Sequence, residues 1–394
     1  MNVKVLSLSL DNSILNELSA LASRVIEYGG LVLKYTVIVP SPKNEKIELS
    51  EKVMIYCSSG RNKLAQLIKI YKAAKKLLRE EKYDIITAQD QYYLALIGWL
   101  LAKKFNLGIE IQIHGWEKFW GPRKWLAKFV LPRATAVRAV SQRLKQQLIT
   151  QFGVRAERIT VAPIFTEINP ILNTGEKLKI KNEGLKLKFK NSSKFVFLTV
   201  GRLVKVKNVG MQIEAMIEVV KQYPETELWI VGDGKESKKL KACLPACAGG
   251  RRQVKSQKFK IKDKVKFFGW QSELSNFYQQ ADAFLLTSNY EGWGLSVIEA
   301  ASYGLPIIMT DVGCAGEIIK DGESGLVIPV DDKNKLVEAM TKLIKDPSLR
   351  QKLTSGTEVA IAKLPNKEQT LNLYLTSWQK AVSNKLPINS VNSG

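Results

Sequence analysis

The stretch "AFLLTSNYEGWGLSVIEAASYGLPIIMTDVG", residues 283–313, decides the fold of this chain. Its apolar start is typical of a buried strand, a glycine-broken turn follows, a helical pattern comes next, and a second apolar run begins at Pro306. A strand, a crossover helix and a second strand in this order form the repeating unit of a parallel sheet. We therefore expect an α/β fold.

The same alternation of strand-like and helical patterns extends over most of the chain. Amphipathic stretches such as 13–30 and 61–84 separate apolar runs that are rich in β-branched residues. Besides the strands at 283–288 and 306–313, strands are predicted at 3–10, 35–40, 52–58, 83–89, 109–115, 135–141, 158–164, 194–203, 227–234, 264–270 and 324–330. This pattern predicts parallel sheets with crossover helices.

A lysine-rich, strand-poor segment near 165–193 interrupts the alternation. The chain has 394 residues, which is too long for one ordinary domain. We therefore predict two doubly wound, Rossmann-like domains over residues 1–168 and 169–365, followed by a helical stretch at 366–394 that packs back on the first domain. Because ligands of such sheets bind at the carboxyl ends of the strands, we expect the domains to face each other across a cleft.

The composition is that of a globular protein, with 45% hydrophobic and 25% charged residues. The longest apolar run, 92–102, is far shorter than the roughly 20 residues of a membrane-spanning helix, and the first residues lack the pattern of a secretory leader. We therefore expect a cytoplasmic protein. The four cysteines are scattered, so we expect reduced thiols, with a metal or disulfide at Cys243 and Cys247 as the alternative.

The net charge of +23 is unusual and attracts polyanions. Nucleic acid, an anionic lipid surface and phosphorylated substrates are the classes of partner that such a charge fits. Much of the excess lies at 177–194 and 251–266, a linker-like and an inserted segment, neither of which has the aromatic spacing of a single-strand binding surface. The pattern therefore disfavours a nucleic-acid-binding protein.

Two glutamates flank the start of the helix predicted within 283–313. Glu291 lies on the turn between strand and helix, where Gly292 and Gly294 permit close backbone approach. A helix start offers unpaired N–H groups and the positive end of the helix dipole, so this turn is suited to an anion. Glu299, eight residues later, falls about two turns further along the same face, where its carboxylate can accept hydrogen bonds from hydroxyls.

The cations that such an anion requires are found in "VGRLVKVKNVG", residues 200–210, which also leaves a strand and enters a helix. Arg202 supplies a planar donor fork and Lys207 a point charge. We predict that they hold a diphosphate without a metal ion. A diphosphate with hydroxyl-bearing groups on both sides is a nucleotide sugar, with its ribose on Glu299 and its sugar ring on Glu291.

The motifs "VGRLVKVKN", "VGDG", "FFGW", "FLLTSNYEGWGLSVIEAASYGLPIIMTDVGCAGEII" and "DGESGLVIPVDD" resemble those of the retaining glycosyltransferases of family 4, which have the two-domain GT-B fold. The resemblance is most specific over 195–340 and looser over the first half. It implies that Glu299 binds the ribose, Arg202 and Lys207 the diphosphate, and Glu291 the transferred sugar. It also assigns the following residues to the donor: Gly201, Gly292, Gly294, Leu295, Ser296 and Trp270.

In the first half, His114 is the only histidine and ends a predicted strand in "IQIHGW". The resemblance implies that it contacts the donor sugar and takes part in catalysis. The alternative is a histidine that satisfies a loop carbonyl. Ser141 is predicted to cap the helix that follows the strand at 135–141.

The stretch "HGWEKFWGPRKWLAKFVLPR", residues 114–133, mixes aromatic and basic side chains. Trp116, Trp120 and Trp125, with Phe119 and Phe129, suit a bilayer interface, where rings lie at headgroup depth and cations meet anionic lipid. The alternative is a helix that packs in the core and exposes a charged face. A lipid-carried acceptor would make membrane contact useful.

Together these features predict a retaining, metal-independent hexosyltransferase that moves sugar from a nucleoside diphosphate sugar to an acceptor hydroxyl. As the resemblance implies, the leaving phosphate takes the acceptor's proton on the same face. We expect a glycan or lipid-linked glycan acceptor in cell-surface polysaccharide synthesis at the inner face of the cell membrane, with no cofactor and no nucleic-acid partner. The alternatives are a sugar-nucleotide epimerase or a phosphorylase on the same architecture and, in another class, a basic nucleic-acid binder.

Overall fold

The computed structural model describes residues 1–116, 121–166, 194–246 and 261–385. The chain divides into two compact units. The first contains Met1–Phe165 together with Pro365–Gly394, and the second contains Thr166–Leu364. The linker-like segment at 177–193, most of the basic insertion, and Cys247 lie outside the described residues.

The first unit alternates strands and helices and ends with a helix from the end of the chain. Its described elements are β1 (Lys4–Leu8), α1 (Ala20–Gly30), β2 (Lys34–Ser41), β3 (Lys46–Ser50), β4 (Val53–Ser59), α2 (Lys63–Glu80), β5 (Ile85–Ala88), α3 (Tyr93–Phe105), β6 (Gly108–Ile113), α4 (Pro122–Val130), β7 (Ala136–Ala139), α5 (Gln142–Phe152), β8 (Ile159–Val161) and α13 (Lys367–Ser383).

The second unit repeats the alternation. Its described elements are β9 (Phe195–Val200), α6 (Val209–Gln222), β10 (Thr226–Val231), α7 (Ser237–Ala246), α8 (Ile261–Lys264), β11 (Val265–Gly269), α9 (Ser275–Gln280), β12 (Ala283–Leu286), α10 (Leu295–Ser302), β13 (Ile307–Thr310), β14 (Leu326–Ile328), α11 (Lys333–Lys345) and α12 (Pro347–Ile361).

Each unit is built on one sheet. The first sheet has the order β3-β4-β2-β1-β5-β6-β7-β8 and the second β11-β10-β9-β12-β13-β14. All pairs are parallel except β3 with β4. Because successive connections run in opposite directions from β1 and from β9, helices cover both faces of each sheet. The predicted doubly wound α/β architecture is confirmed.

Every predicted strand overlaps an observed one, and of the strands in the described residues the sequence analysis missed β3. This five-residue strand lies at the edge of the first sheet, pairs antiparallel with β4, and has no buried side chain. Its sequence alternates Ile47 and Leu49 with polar residues, but the strand is short and contains two charged residues, so it lacks the continuous apolar run that identified the buried strands.

Helix boundaries follow local capping chemistry. The predicted cap is confirmed at Ser141, whose side chain accepts a hydrogen bond from the backbone N–H of Leu144 at 3.2 Å. The same helix, α5, ends at Gly153, whose φ of 67° favours glycine. None of the described helices combines the length and the hydropathy that crossing a membrane requires.

The helix α13 belongs to the first unit, where it packs on β6, β7 and β8. It begins with a capping box formed by Asn366 and Gln369. Its Trp378 is fully buried, and the indole N–H donates to Glu110 on β6 at 3.2 Å. The helix passes so close to the sheet that a Cβ at Gly108 would lie 2.4 Å from the carbonyl oxygen of Ala381. The last of the described helices is thus a structural part of the first unit.

Candidate active site

The turn between β12 and α10, which carries Glu291, is held in place from several sides. Thr310 on the neighbouring strand β13 donates its hydroxyl to the carbonyl oxygen of Ser288 at 2.6 Å. The backbone N–H of Asn289 donates to the carbonyl oxygen of Val206 at 2.8 Å. Because these bonds reach the elements on both sides of β12, the turn has a defined position before any ligand binds.

Glu291 and Lys207 are in direct contact. The Lys207 ammonium forms an ion pair with Oε1 of Glu291, and the hydroxyl of Ser288 donates to the same oxygen at 2.7 Å. Only 20% of the Lys207 side chain and 13% of the Glu291 side chain are exposed. The structure therefore brings together one acid and one cation that the sequence analysis placed on separate turns. Charge-assisted bonds of this kind fix the position of the carboxylate.

Hydrogen bonds to the backbone of the Lys207 turn fix the position of this residue. The hydroxyl of Thr287 donates to the carbonyl oxygens of Lys207 and Asn208 at 3.2 and 3.1 Å, and Gln212 donates to Thr287 at 2.8 Å. Asn208 adopts a left-handed conformation with φ of 48°, and this reverses the chain before α6. These contacts couple the Lys207 turn to the Glu291 turn, because Thr287 directly follows β12.

Arg202 and Gly201 follow β9 directly and line one small pocket together with Lys207 and Ser288. The turn after β10 packs tightly against this turn after β9, and the close approach requires glycine at position 232, in the "VGDG" motif. A Cβ there would lie 1.9 Å from the carbonyl oxygen of Gly201. The glycine thus permits the β9 and β10 turns to approach each other, and it sets the backbone position from which Arg202 extends.

The helix α10 begins at Gly294, whose φ of 95° lies in the region that favours glycine. Within the described residues no side chain caps this helix. The first helical residues, Leu295 and Ser296, therefore present backbone N–H groups at the positive end of the helix dipole. Gly292 is buried in the turn before them. This helix start is suited to bind an anion.

Glu299 lies in α10, where it is partly buried and accepts a hydrogen bond from the Tyr278 hydroxyl at 2.8 Å. Burial raises the pKa of the Glu299 carboxyl, and the bond from Tyr278 lowers it. Tyr278 is itself 2% exposed and stacks on Tyr303, whose hydroxyl donates to Ser275 at 2.9 Å. Two stacked tyrosines, Tyr278 on α9 and Tyr303 directly after α10, thus orient one oxygen of Glu299.

Trp270 stands apart from these residues. It follows the edge strand β11, and 74% of it is exposed. Trp270 lies at the carboxyl end of its strand. Because all strands of this sheet are parallel, this is the same edge of the sheet that carries Arg202 and Glu291. An exposed indole there can stack on a planar group.

His114 follows β6 in the first unit, at the carboxyl end of that strand. Its Nε2 lies 3.4 Å from Oε1 of Gln112. The residue is exposed to solvent, but the nearby protein atoms disfavour the charged ring and lower its pKa, as do the positive charges of Arg138 and Arg24. The neutral imidazole is therefore the form expected near neutral pH.

A buried polar network continues from Gln112 into the sheet. Gln112 donates to Thr87 at 2.8 Å, and Thr87 donates to Glu110 at 2.7 Å. The Glu110 carboxylate, which is fully buried, also pairs with Arg138 on β7 at 3.4 Å. Since α13 covers this face through Trp378, the polar residues behind His114 are enclosed by the last helix of the chain.

The three tryptophans predicted at a membrane surface have different environments. For Trp116 the prediction was wrong, because it is 9% exposed, donates to Gln147 at 2.6 Å and stacks on Phe152 with ring centroids 4.6 Å apart. Trp120 and Phe119 lie outside the described residues. Trp125 is 68% exposed on α4.

Several contributors to the site were missed by the sequence analysis, namely Thr287, Ser288 and Tyr278. Ser288 and Thr287 end a predicted strand beside Glu291, a position from which polar side chains can reach the same site. Tyr278 lies on a six-residue helix, twenty-one positions before Glu299, and no local pattern links them.

Family models match both halves of the chain. "Glycosyltransferase Family 4" matches residues 33–168 and "Glycosyl transferases group 1" matches 182–358. Among the curated relatives is the Escherichia coli UDP-Gal:alpha-D-GlcNAc-diphosphoundecaprenol alpha-1,3-galactosyltransferase, which is 27% identical over 75% of this chain and 76% of its own. The alpha-monoglucosyldiacylglycerol synthase of Acholeplasma laidlawii is 23% identical over 82% of this chain and 83% of its own.

A solved structure of HepE from Anabaena, in complex with UDP and glucose, has the same fold with a TM-score of 0.74. The identity is 18%, and the likeness covers 96% of this chain and all of the other. The relatives give no support to the epimerase alternative. With both halves matched by glycosyltransferase models, the chain belongs to the glycosyltransferases that these two models describe, and it has the GT-B fold.

Proposed function

We propose that this glycosyltransferase moves a hexosyl unit from a nucleoside diphosphate sugar to a hydroxyl of a lipid-linked glycan, with retention of configuration and without a metal ion. The observation that carries the proposal is the ion pair between Lys207 and Glu291 beside the uncapped start of α10. It supplies one cation for a diphosphate and one carboxylate for sugar hydroxyls at adjacent positions.

The donor is assigned to the second unit. Arg202 and Lys207 would bind the diphosphate, together with the backbone N–H groups of Leu295 and Ser296. Glu299 would accept hydrogen bonds from the ribose, and the exposed ring of Trp270 would stack on the base. Uridine is the first base to test, because the E. coli relative is named for UDP-Gal and the HepE structure contains UDP.

The role of Glu291 follows from its contacts. Its Oε1 accepts from both Lys207 and Ser288, so this oxygen is occupied, and Oε2 is the one that would accept from a hydroxyl of the transferred sugar. A carboxylate held by an ammonium is a weak nucleophile, and its role in this proposal is therefore to orient the sugar. The contact of His114 with the donor sugar, which the family resemblance implies, stays a prediction.

In the proposed reaction, the bond from the anomeric carbon to the diphosphate oxygen breaks while a bond to the acceptor oxygen forms on the same face. The acceptor's proton passes to the departing phosphate oxygen. Lys207 and Arg202 stabilise the negative charge that grows on the diphosphate. A metal ion has this role in other enzymes. The described residues contain no group of three His, Cys, Asp or Glu side chains that could hold such an ion.

The acceptor class is proposed from the relatives. The E. coli relative is named for a sugar on diphosphoundecaprenol, and the A. laidlawii relative for a diacylglycerol glycolipid. Both names refer to sugars on lipids. We therefore propose that this enzyme acts at the inner face of the cell membrane, as a peripheral protein that uses a lipid-linked glycan.

The proposal is tested by the variants Lys207→Ala and Glu291→Gln. Release of nucleoside diphosphate from a panel of sugar nucleotides, with and without a lipid-linked acceptor, should fall by roughly 100-fold or more in each variant. Lys205→Ala is the matched control, because Lys205 is exposed and lies two residues away in the same turn. Near-normal turnover in either site variant would exclude the proposed site.

Two finer points need separate measurements. The anomeric configuration of the product, read by NMR, should equal that of the donor, and inversion would refute the proposed mechanism. Activity should persist after treatment with EDTA, since Arg202 and Lys207 supply the positive charge. Loss of activity that added Mg²⁺ or Mn²⁺ restores would contradict the metal-independent reaction.

A further inference from the structure

Helices α3 and α4 pack side by side in the first unit and expose aromatic and apolar side chains. Trp125 on α4 is 68% exposed, and Leu100 and Tyr93 on α3 are 45% and 36% exposed. The ring of Trp125 stacks on Phe129 with centroids 6.0 Å apart, and Phe129 meets Trp99 of α3 edge to face at 5.2 Å. The exposed ring on α4 is therefore connected to α3 by a continuous row of aromatic residues.

Cations surround this row. The Lys103 ammonium lies 5.7 Å from the Trp99 ring, and the Arg133 guanidinium lies 4.1 Å from the Phe129 ring. Lys104 and Lys128 are exposed on the same two helices. Neither helix contains an aspartate or a glutamate. Within the described residues, no carboxylate forms an ion pair with Lys103, Lys104 or Lys128.

Helix α2 is also basic and packs beside α3, but its exposed apolar side chains, Leu64 and Ile68, are aliphatic, and its Lys76 pairs with Glu80 at 3.7 Å. On α1, Glu27 pairs with Lys367 of α13. Helices α1 and α3 also lie on opposite faces of the sheet, because the connection from β1 to β2 runs in the opposite direction to that from β5 to β6. Among the exposed large apolar side chains that the structure describes in the first unit, the aromatic ones are Tyr93 and Trp125, so exposed rings beside lysines without an ion pair are found on α3 and α4.

This combination indicates the chemistry of the partner. A protein partner would leave the clustered lysines without counter-charges unless it were acidic, and a nucleic acid would leave Leu100 and the flank of Trp125 without apolar contact. The boundary of an anionic bilayer satisfies both kinds of side chain at one depth, with rings among the headgroups and ammonium groups at the phosphates.

We propose that the surface formed by Tyr93, Trp99, Leu100 and Trp125, with Lys103, Lys104, Lys128 and Arg133 around it, rests on the anionic surface of a membrane. This deepens the proposed function and rests on it in one respect, since a lipid-linked acceptor requires contact with the bilayer that carries it. Trp125 inserts its ring to headgroup depth, and the lysines contact lipid phosphates.

The test is cosedimentation of the full-length protein with vesicles of phosphatidylcholine alone or of phosphatidylcholine mixed with phosphatidylglycerol. Wild-type protein should bind the mixed vesicles much more tightly. Trp125→Ser should weaken this binding roughly tenfold, because one large apolar side chain no longer leaves water. The triple variant Lys103→Gln/Lys104→Gln/Lys128→Gln should weaken it by roughly 100-fold, and less as salt is added.

Each variant has a matched control in the second unit. Val359→Ser removes an apolar side chain that is 59% exposed on α12. The triple variant Lys335→Gln/Lys342→Gln/Lys352→Gln removes the same number of charges from exposed positions on α11 and α12. Both controls should bind vesicles like the wild type. Equal losses in the controls would show that overall charge, not this surface, drives binding, and would overturn the proposal.

Two further outcomes of the vesicle experiment would refute the proposal. Equal binding to both vesicle types, or no binding by the wild type, would refute an anionic lipid surface. The melting temperature of every variant is measured with and without UDP, which reports folding and donor binding independently of lipid. If UDP fails to stabilise the wild type while the vesicle results hold, the proposed donor fails and the surface stands. If UDP stabilises all variants and vesicles do not bind, the surface fails alone.

Discussion

The substitution Gly313→Ala tests whether the position of Glu291 controls activity. Gly313 follows β13 and adopts a φ of 57°. An added Cβ would lie 2.5 Å from the carbonyl oxygen of Trp293 and 3.0 Å from the Cβ of Glu291. That carbonyl already accepts a hydrogen bond from the N–H of Cys314 at 2.9 Å, so it cannot turn away without losing a bond. The Glu291 turn itself must therefore move.

The size of this movement can be worked out from the contact distances. Cβ atoms almost never approach other heavy atoms within 3.0 Å, so the turn has to shift by at least about 0.5 Å. A displacement of ~1 Å costs about 100-fold in rate at a preorganised site, so half of it should cost roughly tenfold. The left-handed backbone adds roughly 1–2 kcal/mol of destabilisation, and the overlap about as much again.

The matched control is Gly316→Ala in the same loop. Gly316 has a similar left-handed φ of 78°, but its Cβ would meet nothing within 4 Å. Both variants should lose stability in thermal unfolding, by roughly 2–4 °C for each kcal/mol, and the loss should be larger for position 313. Only Gly313→Ala should lose turnover in the nucleoside diphosphate release assay. Equal activities in the two variants would refute the claim that the Glu291 position is decisive.

The remaining predictions concern two further carboxylates. Burial raises the pKa of Glu299, and the hydrogen bond from Tyr278 lowers it, so Tyr278→Phe should raise this pKa. When the pH is lowered, the variant should therefore lose its affinity for UDP, measured by calorimetry, at a higher pH than the wild type does. An unchanged pH profile would contradict this. Burial would raise the pKa of Glu227, but hydrogen bonds from Lys194 and Lys266 outweigh it and lower the pKa to about 2. This group therefore adds stability above its ordinary pKa near 4.5 that is lost as the pH falls toward 2. Glu227→Gln should cost roughly 3 kcal/mol in urea unfolding at neutral pH and little in acid, whereas Glu218→Gln, at a side chain that is 43% exposed, should cost little at any pH.

The second unit could be predicted well from the sequence because its chemistry is local. Each turn that carries Arg202, Lys207 or Glu291 directly follows a strand that is identified by an apolar run. In a parallel sheet the carboxyl ends of neighbouring strands lie together, so residues far apart in sequence meet. The contact between Lys207 and Glu291, eighty-four positions apart, is such a case.

What escaped prediction depends on packing between distant elements. Trp116 has the same aromatic and basic neighbours in sequence as Trp125, but α5 covers its ring and nothing in the described chain covers that of Trp125 to the same degree. The support of Glu299 by Tyr278 also depends on how α9 meets α10. Such contacts are fixed by tertiary structure, which patterns over a few residues do not contain.

The contact between Lys207 and Glu291 resolves a difficulty in the proposed site, where a carboxylate and a diphosphate must lie close together. Two like charges ~4 Å apart repel by about 4 kcal/mol near a protein surface, which would exclude the donor. An ammonium has three donors in a compact group, so Lys207 can keep its bond to Glu291 and still donate to a phosphate oxygen. Ser288 holds the same carboxylate oxygen, so Glu291 keeps its place if the ammonium moves toward the phosphate. The cation therefore links the two functions, and the site can orient a sugar with an acid without expelling the anion to which the sugar is attached.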